Sequence, residues 1–247
     1  MPKTGLLLCL LGTGIVAQPQ TAPTYDARLP VHTIVREDVF AGFMTGDLER
    51  MTRGEKAVDL LRIERPDQEA PLLAWKAAIA MNRAVMAHAA GRTAEFGVEY
   101  KKSQDLYARA MQGDANDPGV QAIVAASQAL FADRLPEPQR RAAWDTSYAA
   151  FRVMWKGQEA GVDRMPLHMK GELLGGMAQT AQRTGRAEEA SQFVERILTS
   201  MPGTAYAAVA QKWKDSPEAA AKTSLICHSC HEAGRLEARK ATLAIAK

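Results

Sequence analysis

Cysteine is nearly absent from this chain. Of 247 residues only Cys9, Cys227 and Cys230 carry a thiol, so no disulfide framework is available to hold a small core together. Aromatic residues make up only 6%, and the period-two alternation that marks half-buried strands is almost missing, which argues against a sandwich or barrel. An excess of either charge is also lacking. Lys and Arg number 31 against 28 Asp and Glu, for a formal net charge of +3, and no basic face suited to nucleic acid emerges. The nearest approach to one, Arg140-Arg141 after Pro138-Gln139, reads as a solvated helix start. His-Glu-x-x-His, Gly-x-Ser-x-Gly and phosphate-loop motifs are all absent, so the chain has no enzyme signature of its own.

The N-terminus has the form of an export signal. Met1 to Lys3 is a short positive start, Leu6 to Leu11 with Ile15 and Val16 forms an apolar stretch of about a dozen residues, and Ile15-Val16-Ala17 offers a small-residue cleavage site. Residues 1–17 therefore read as a signal peptide, and an exported, periplasmic location is expected. A membrane anchor is the alternative, but the run is too short to span about 30 Å and meets Gln18-Pro19-Gln20 at once. Cys9 lies inside the apolar stretch, and the bulky Leu8 before it does not suit lipoprotein cleavage, so Cys9 is expected to leave with the signal. Gly12-Thr13-Gly14-Ile15-Val16-Ala17 resembles the glycine turn of a dinucleotide-binding unit. That unit needs a helix next, and Pro19, Pro23 and Pro30 break any helix there.

Residues 18–30 read as a Pro-rich linker and residues 31–214 as helical hairpins. Val35, Val39, Phe40 and Phe43 recur at helical spacing, Gly46-Asp47 breaks the pattern, and Val58 to Ile63 continues a second helix ending at Arg65-Pro66. Leu72 to Ala90 and Phe96 to Met111 flank the turn Gly91-Arg92-Thr93. Val120 to Ala132 and Ala142 to Gln158 flank the break Leu135-Pro136-Glu137-Pro138. Met165 to Arg183 and Ala187 to Ser200 flank Gly185-Arg186. The fold expected is all-α.

The last of these hairpins, with Gly185-Arg186-Ala187-Glu188-Glu189-Ala190, Ala178 before it, and Val194, Ile197 and Pro202 after it, resembles a tetratricopeptide repeat. The resemblance implies an α-solenoid in which Ala178 and Ala190 lie between closely packed antiparallel helices. Leu174 replaces the aromatic of the family's early helix position, and Pro66, Pro118 and Pro202 do not keep the family's period of about 34 residues. An irregular helical bundle is the alternative.

Residues 215–247 contain the chain's one dense chemical motif, Cys227-His228-Ser229-Cys230-His231. Two thiols three positions apart on a helical turn can each add to one vinyl group of a porphyrin, and the histidine that follows can take the proximal iron position. In this pentad the chain resembles the c-type cytochromes. The resemblance implies one covalent haem c, with Cys227 and Cys230 as thioether links and His231 as the proximal axial ligand. Zinc held by Cys227, Cys230 and one or both neighbouring histidines is the chief metal alternative, but four ligands within five residues cannot all close on one ion with good geometry. A thioredoxin-type disulfide would need a strand before the motif and a mixed sheet, and no such pattern is visible.

Glu232 to Lys247 contains neither Met nor His, so a sixth ligand of either type must come from upstream or from another chain. The imidazoles of His32, His88 and His168 and the thioethers of Met165, Met169, Met177 and Met201 are the candidates, with His168 the first choice. His228, between the two cysteines, cannot readily reach the opposite face of the same ring. The position of the motif also resembles that in the four-helix cytochrome c′ group, but such a bundle uses only about half of these helices. The small cytochrome c domain fits less well, because it begins with the motif and supplies Met downstream.

Two functional expectations follow. One is an exported monohaem electron-transfer protein whose helical array docks a redox partner protein. The other is a tetratricopeptide-like interaction scaffold whose haem is structural or ligand-sensing. Peroxidase-like chemistry is a weaker third reading, because no distal His-Arg pair is identifiable.

Overall fold

The computed structural model describes residues 38–39, 41–113 and 115–226, and the fold is all-α, with no strand among the described residues. A short helix α1 (Ala41–Thr45) leads into α2 (Leu48–Glu64), whose first turn is capped by the Asp47 carboxylate accepting from the Arg50 amide at 3.0 Å. Three long antiparallel hairpins follow: α3 (Glu69–Ala89) with α4 (Thr93–Gly113), α5 (Pro118–Ala132) with α6 (Glu137–Gln158), and α7 (Leu167–Arg183) with α8 (Ala187–Ser200). Two shorter helices, α9 (Ala205–Asp215) and α10 (Pro217–Lys222), close the described chain. The expected helical-hairpin array is the observed architecture. α3 also packs on α5, α6 on α7 and α8 on α9, so neighbouring hairpins share one apolar core.

Turn chemistry is repeated between the first and third of these hairpins. Gly91 and Gly185 both take positive φ, 71° and 81° respectively, a region that residues with a Cβ rarely adopt. At each, the amide one residue later reaches back to close the helix, Arg92 N to Ala87 O at 2.9 Å and Arg186 N to Ala181 O at 2.8 Å. A Gly-Arg pair therefore ends the first helix and launches the second in both places. The hairpins are also tied internally in matching fashion. Ser103 of α4 donates to the Ala77 carbonyl of α3 at 2.9 Å, and Ser147 of α6 donates to the Ala125 carbonyl of α5 at 2.7 Å.

Helix α7 lies at the centre of the packing and carries three interior glycines, each of which costs about 1 kcal/mol relative to alanine in an exposed helix. Each admits a close neighbour. A Cβ at Gly176 would stand 2.2 Å from the Phe151 ring of α6, one at Gly171 2.3 Å from the Tyr206 ring of α9, and one at Gly175 2.8 Å from the Leu225 carbonyl oxygen. Ala178 of α7 and Ala190 of α8 are both buried, Ala178 within the main apolar core.

Some boundaries differ from the sequence reading. α6 begins at Glu137 rather than Ala142, because proline in a first helical turn needs no amide hydrogen and does not break the helix. Residues 215–226, grouped above with the C-terminal segment, belong to the helical body. Asp215 ends α9, α10 packs on α7, and Leu225 and Ile226 are buried in the main core.

Candidate functional site

The Cys227–His231 pentad lies outside the described residues, as do His32 and the signal segment 1–17. What the structure defines is the platform from which the pentad departs. The last described residues are gripped by side chains of α7. Arg183 donates to the carbonyls of Ala220, at 2.5 Å, and Thr223, at 3.3 Å. The Trp213 indole N–H of α9 donates to Thr223 Oγ1 at 2.6 Å. Gln179 Oε1 then accepts from Leu225 N at 2.7 Å, Ser224 Oγ at 2.9 Å and Ile226 N at 3.3 Å. This satisfies two backbone amides that burial would otherwise leave unpaired.

These contacts also give the segment a direction. As the chain advances from Ala220 to Ile226, its partners move back along α7 from Arg183 to Gln179 and Gly175. The segment therefore runs antiparallel to α7, toward that helix's N-terminal end. His168 lies there, seven residues before Gly175 and eleven before Gln179. Those spacings are close to two and three helical turns, so the three positions form one stripe. Between them Gly171 is covered by the Tyr206 ring, whose hydroxyl donates to Glu172 Oε1 at 2.7 Å.

Arg183 is held from three sides. Its guanidinium lies 5.7 Å from the Trp144 ring centroid and 3.9 Å from the Asp133 carboxylate, as well as on the two carbonyls. Burial lowers its pKa, and the Asp133 charge opposes that shift. A partly buried guanidinium between an aromatic face and carbonyl oxygens is a rigid fork, better suited than lysine to holding two acceptors at once.

The candidate upstream ligands occupy different environments. His168 and Met169 are exposed in the first turn of α7, Met169 by 54%. Met165 is half-buried just before that helix. Met177 and Met201 are sealed in the main core, where a flexible thioether fills space between helices. His88 is exposed near the end of α3, its ring 5.4 Å from that of Phe96. His168 thus shares an α7 face with Gly175 and Gln179, two turns beyond the last described contact of the C-terminal segment, and His88 lies on another hairpin.

Among the described residues no group of three or more His, Cys, Asp or Glu side chains is arranged to hold a metal ion. No helix among them is long and apolar enough to cross a membrane. The Gln179 clamp was not foreseen from sequence. Its only trace was the spacing of Gly171, Gly175 and Gly176 inside a helical pattern, which marks close approach by another segment. Comparison with known proteins finds no matching family model, no matching curated protein and no matching solved structure.

Proposed function

We propose that this protein is an exported c-type cytochrome carrying one covalent haem, and that it transfers electrons with a periplasmic redox partner protein docked on the helical array. The observation that carries the reading is the Cys227-x-x-Cys230-His231 spacing behind an N-terminal export pattern. Cys227 and Cys230 would hold the group by thioether bonds, and the His231 imidazole would ligate its iron. When bound, the group supplies a one-electron couple at its iron.

The described residues that lead to the pentad are firmly held. Leu225 and Ile226 fix the chain in an apolar seat immediately before the first cysteine, while Gln179 and Arg183 satisfy the backbone groups of the approach. His168 is the proposed sixth ligand, supported by its place on the α7 stripe toward which that approach runs. The size of the hairpin array relative to the C-terminal segment favours the second reading, an interaction scaffold with a structural or ligand-sensing haem.

A pyridine haemochrome spectrum of protein matured in the periplasm tests the cofactor. A c-type spectrum at one haem per chain is expected, and protein that matures without haem would overturn the proposal. Slow carbon monoxide binding to the reduced protein supports the carrier, whereas immediate binding to a high-spin iron supports sensing or peroxidase-like chemistry.

A further inference from the structure

The two ends of the helical array are finished differently. At the first long helix, α2, Leu60 and Ile63 are 62% and 80% exposed and lie one turn apart on the same face. The opposite side of α2 packs on α3 and on the short helix α1. At the other end, the exposed positions of α9 include Gln211, Lys212, Lys214 and Asp215, and no large apolar side chain of α9 is exposed. A stack of helical hairpins stays single when its terminal unit presents a polar outer face, as α9 does. α2 interrupts that face at Leu60 and Ile63.

The charges of α2 divide in the same way. Those on the flank nearer the core are paired within the chain: Glu55 with Arg83 at 2.5 Å, Asp59 with Lys76, and Arg62 with Glu69 at 2.6 Å. Arg53, Lys56 and Glu64 are exposed and form no ion pair among the described residues. Arg53, Lys56, Leu60 and Ile63 follow one another at steps of three, four and three residues, the seam spacing of a helix that packs along another helix. Glu64, next to Ile63 in the last turn, opposes the helix dipole and gains nothing from its own helix. The outer stripe is therefore basic in its first half and acidic at its end, so it complements itself when turned end for end.

We propose that the outer face of α2 is a self-association surface, on which a second copy of this chain packs its own α2 antiparallel about a two-fold axis at Leu60. Lys56 and Glu64 lie four residues to either side of Leu60, so the axis sets Lys56 of each chain opposite Glu64 of its copy, twice. Leu60 meets its own copy, and Ile63 covers Ala57 and the apolar stem of Lys56. Parallel helices would instead set Lys56 against Lys56 and Arg53 against Arg53. A single helix face of about four turns buries less than about 1,200 Å², the range of transient contacts, so the dimer forms as concentration rises. Haem loading plays no part in this contact.

Sedimentation velocity of the haem-loaded mature chain, from about 10 μM to about 1 mM, reads the contact directly. The weight-average mass is expected to climb from one chain toward two. Ile63→Glu, an exposed change that leaves the core untouched, holds the protein at one chain. Lys56→Glu and Glu64→Lys, each alone, bring like charges together at two places and weaken dimerisation about tenfold. Mixed in equal amounts, these two variants restore it, because each supplies the charge that the other has lost. A mass that stays at one chain up to about 1 mM overturns the proposal, whether the face then takes another protein or the chain's own N-terminal residues. Association that survives Ile63→Glu, or that the mixed variants fail to restore, overturns it as well.

Discussion

The Gln179 side-chain oxygen accepts a hydrogen bond from the Leu225 amide at 2.7 Å, joining the central helix to the last turn of chain before Cys227. The same oxygen receives Ser224 and Ile226, so one side chain fixes three consecutive residues. Gln179→Leu keeps the volume but removes the acceptor, leaving two buried amides unpaired. A loss of about 1–3 kcal/mol is expected in urea denaturation, with faster hydrogen exchange at Leu225 and Ile226. Unchanged stability and unchanged exchange at both amides would show that the contact does not anchor the segment.

The glycines of α7 make a second prediction. Gly176→Ala places a methyl group against the Phe151 ring, and Gly175→Ala places one against the Leu225 carbonyl. Each is expected to lower stability by about 1–3 kcal/mol, although alanine is the better helix former. Gly157 of α6 is the control, because a Cβ there meets nothing. Gly157→Ala should leave stability unchanged or raise it by up to about 1 kcal/mol. Thermal melts of the three variants decide the matter, and equal effects would contradict the packing described for α7.

Tyr107 sets an alkaline limit. Burial raises its phenol pKa well above the ordinary value, and the hydrogen bond with Ser127 opposes the shift only in part. The unfolded chain therefore ionises first. The contribution of Tyr107 is fully present below about pH 10 and is lost as pH rises through and beyond that value. Urea titrations at about pH 8 and about pH 11 should show a larger loss for the natural chain than for Tyr107→Phe. Equal losses would mean that the phenol stays accessible in the folded state.

Ligation at His168 is open to spectroscopy. On the proposed reading His168→Ala converts a low-spin ferric spectrum to high-spin and speeds carbon monoxide binding to the reduced protein. A low-spin spectrum that persists in this variant would move the sixth ligand elsewhere, with His32, His88 and the exposed Met169 the next to substitute.

Much of the fold was legible because its signals are local. Gly91-Arg92 and Gly185-Arg186 mark helix ends through turn chemistry that acts within a few residues, and α8 runs over the residues that its periodicity indicates. Pro136 and Pro138 misled by about one turn, since proline both breaks helices and begins them. The platform before the pentad was not legible. Gln179 looks like any polar residue on a helix, and its partners lie some 45 positions away. Buried glutamines such as Gln121 and Gln128 likewise resemble surface residues until the neighbouring hairpin is in place.

The central claim is a covalent bond between the Cys227 and Cys230 sulfurs and one haem. The most direct measurement is to denature protein matured in the periplasm, extract it with acidified organic solvent, and determine the mass of the peptide containing the pentad. The account predicts that the colour stays with the polypeptide and that the peptide carries the added mass of one porphyrin, diminished or lost in Cys227→Ala and Cys230→Ala. Haem that leaves with the solvent, or a pentad peptide of unmodified mass, would contradict it.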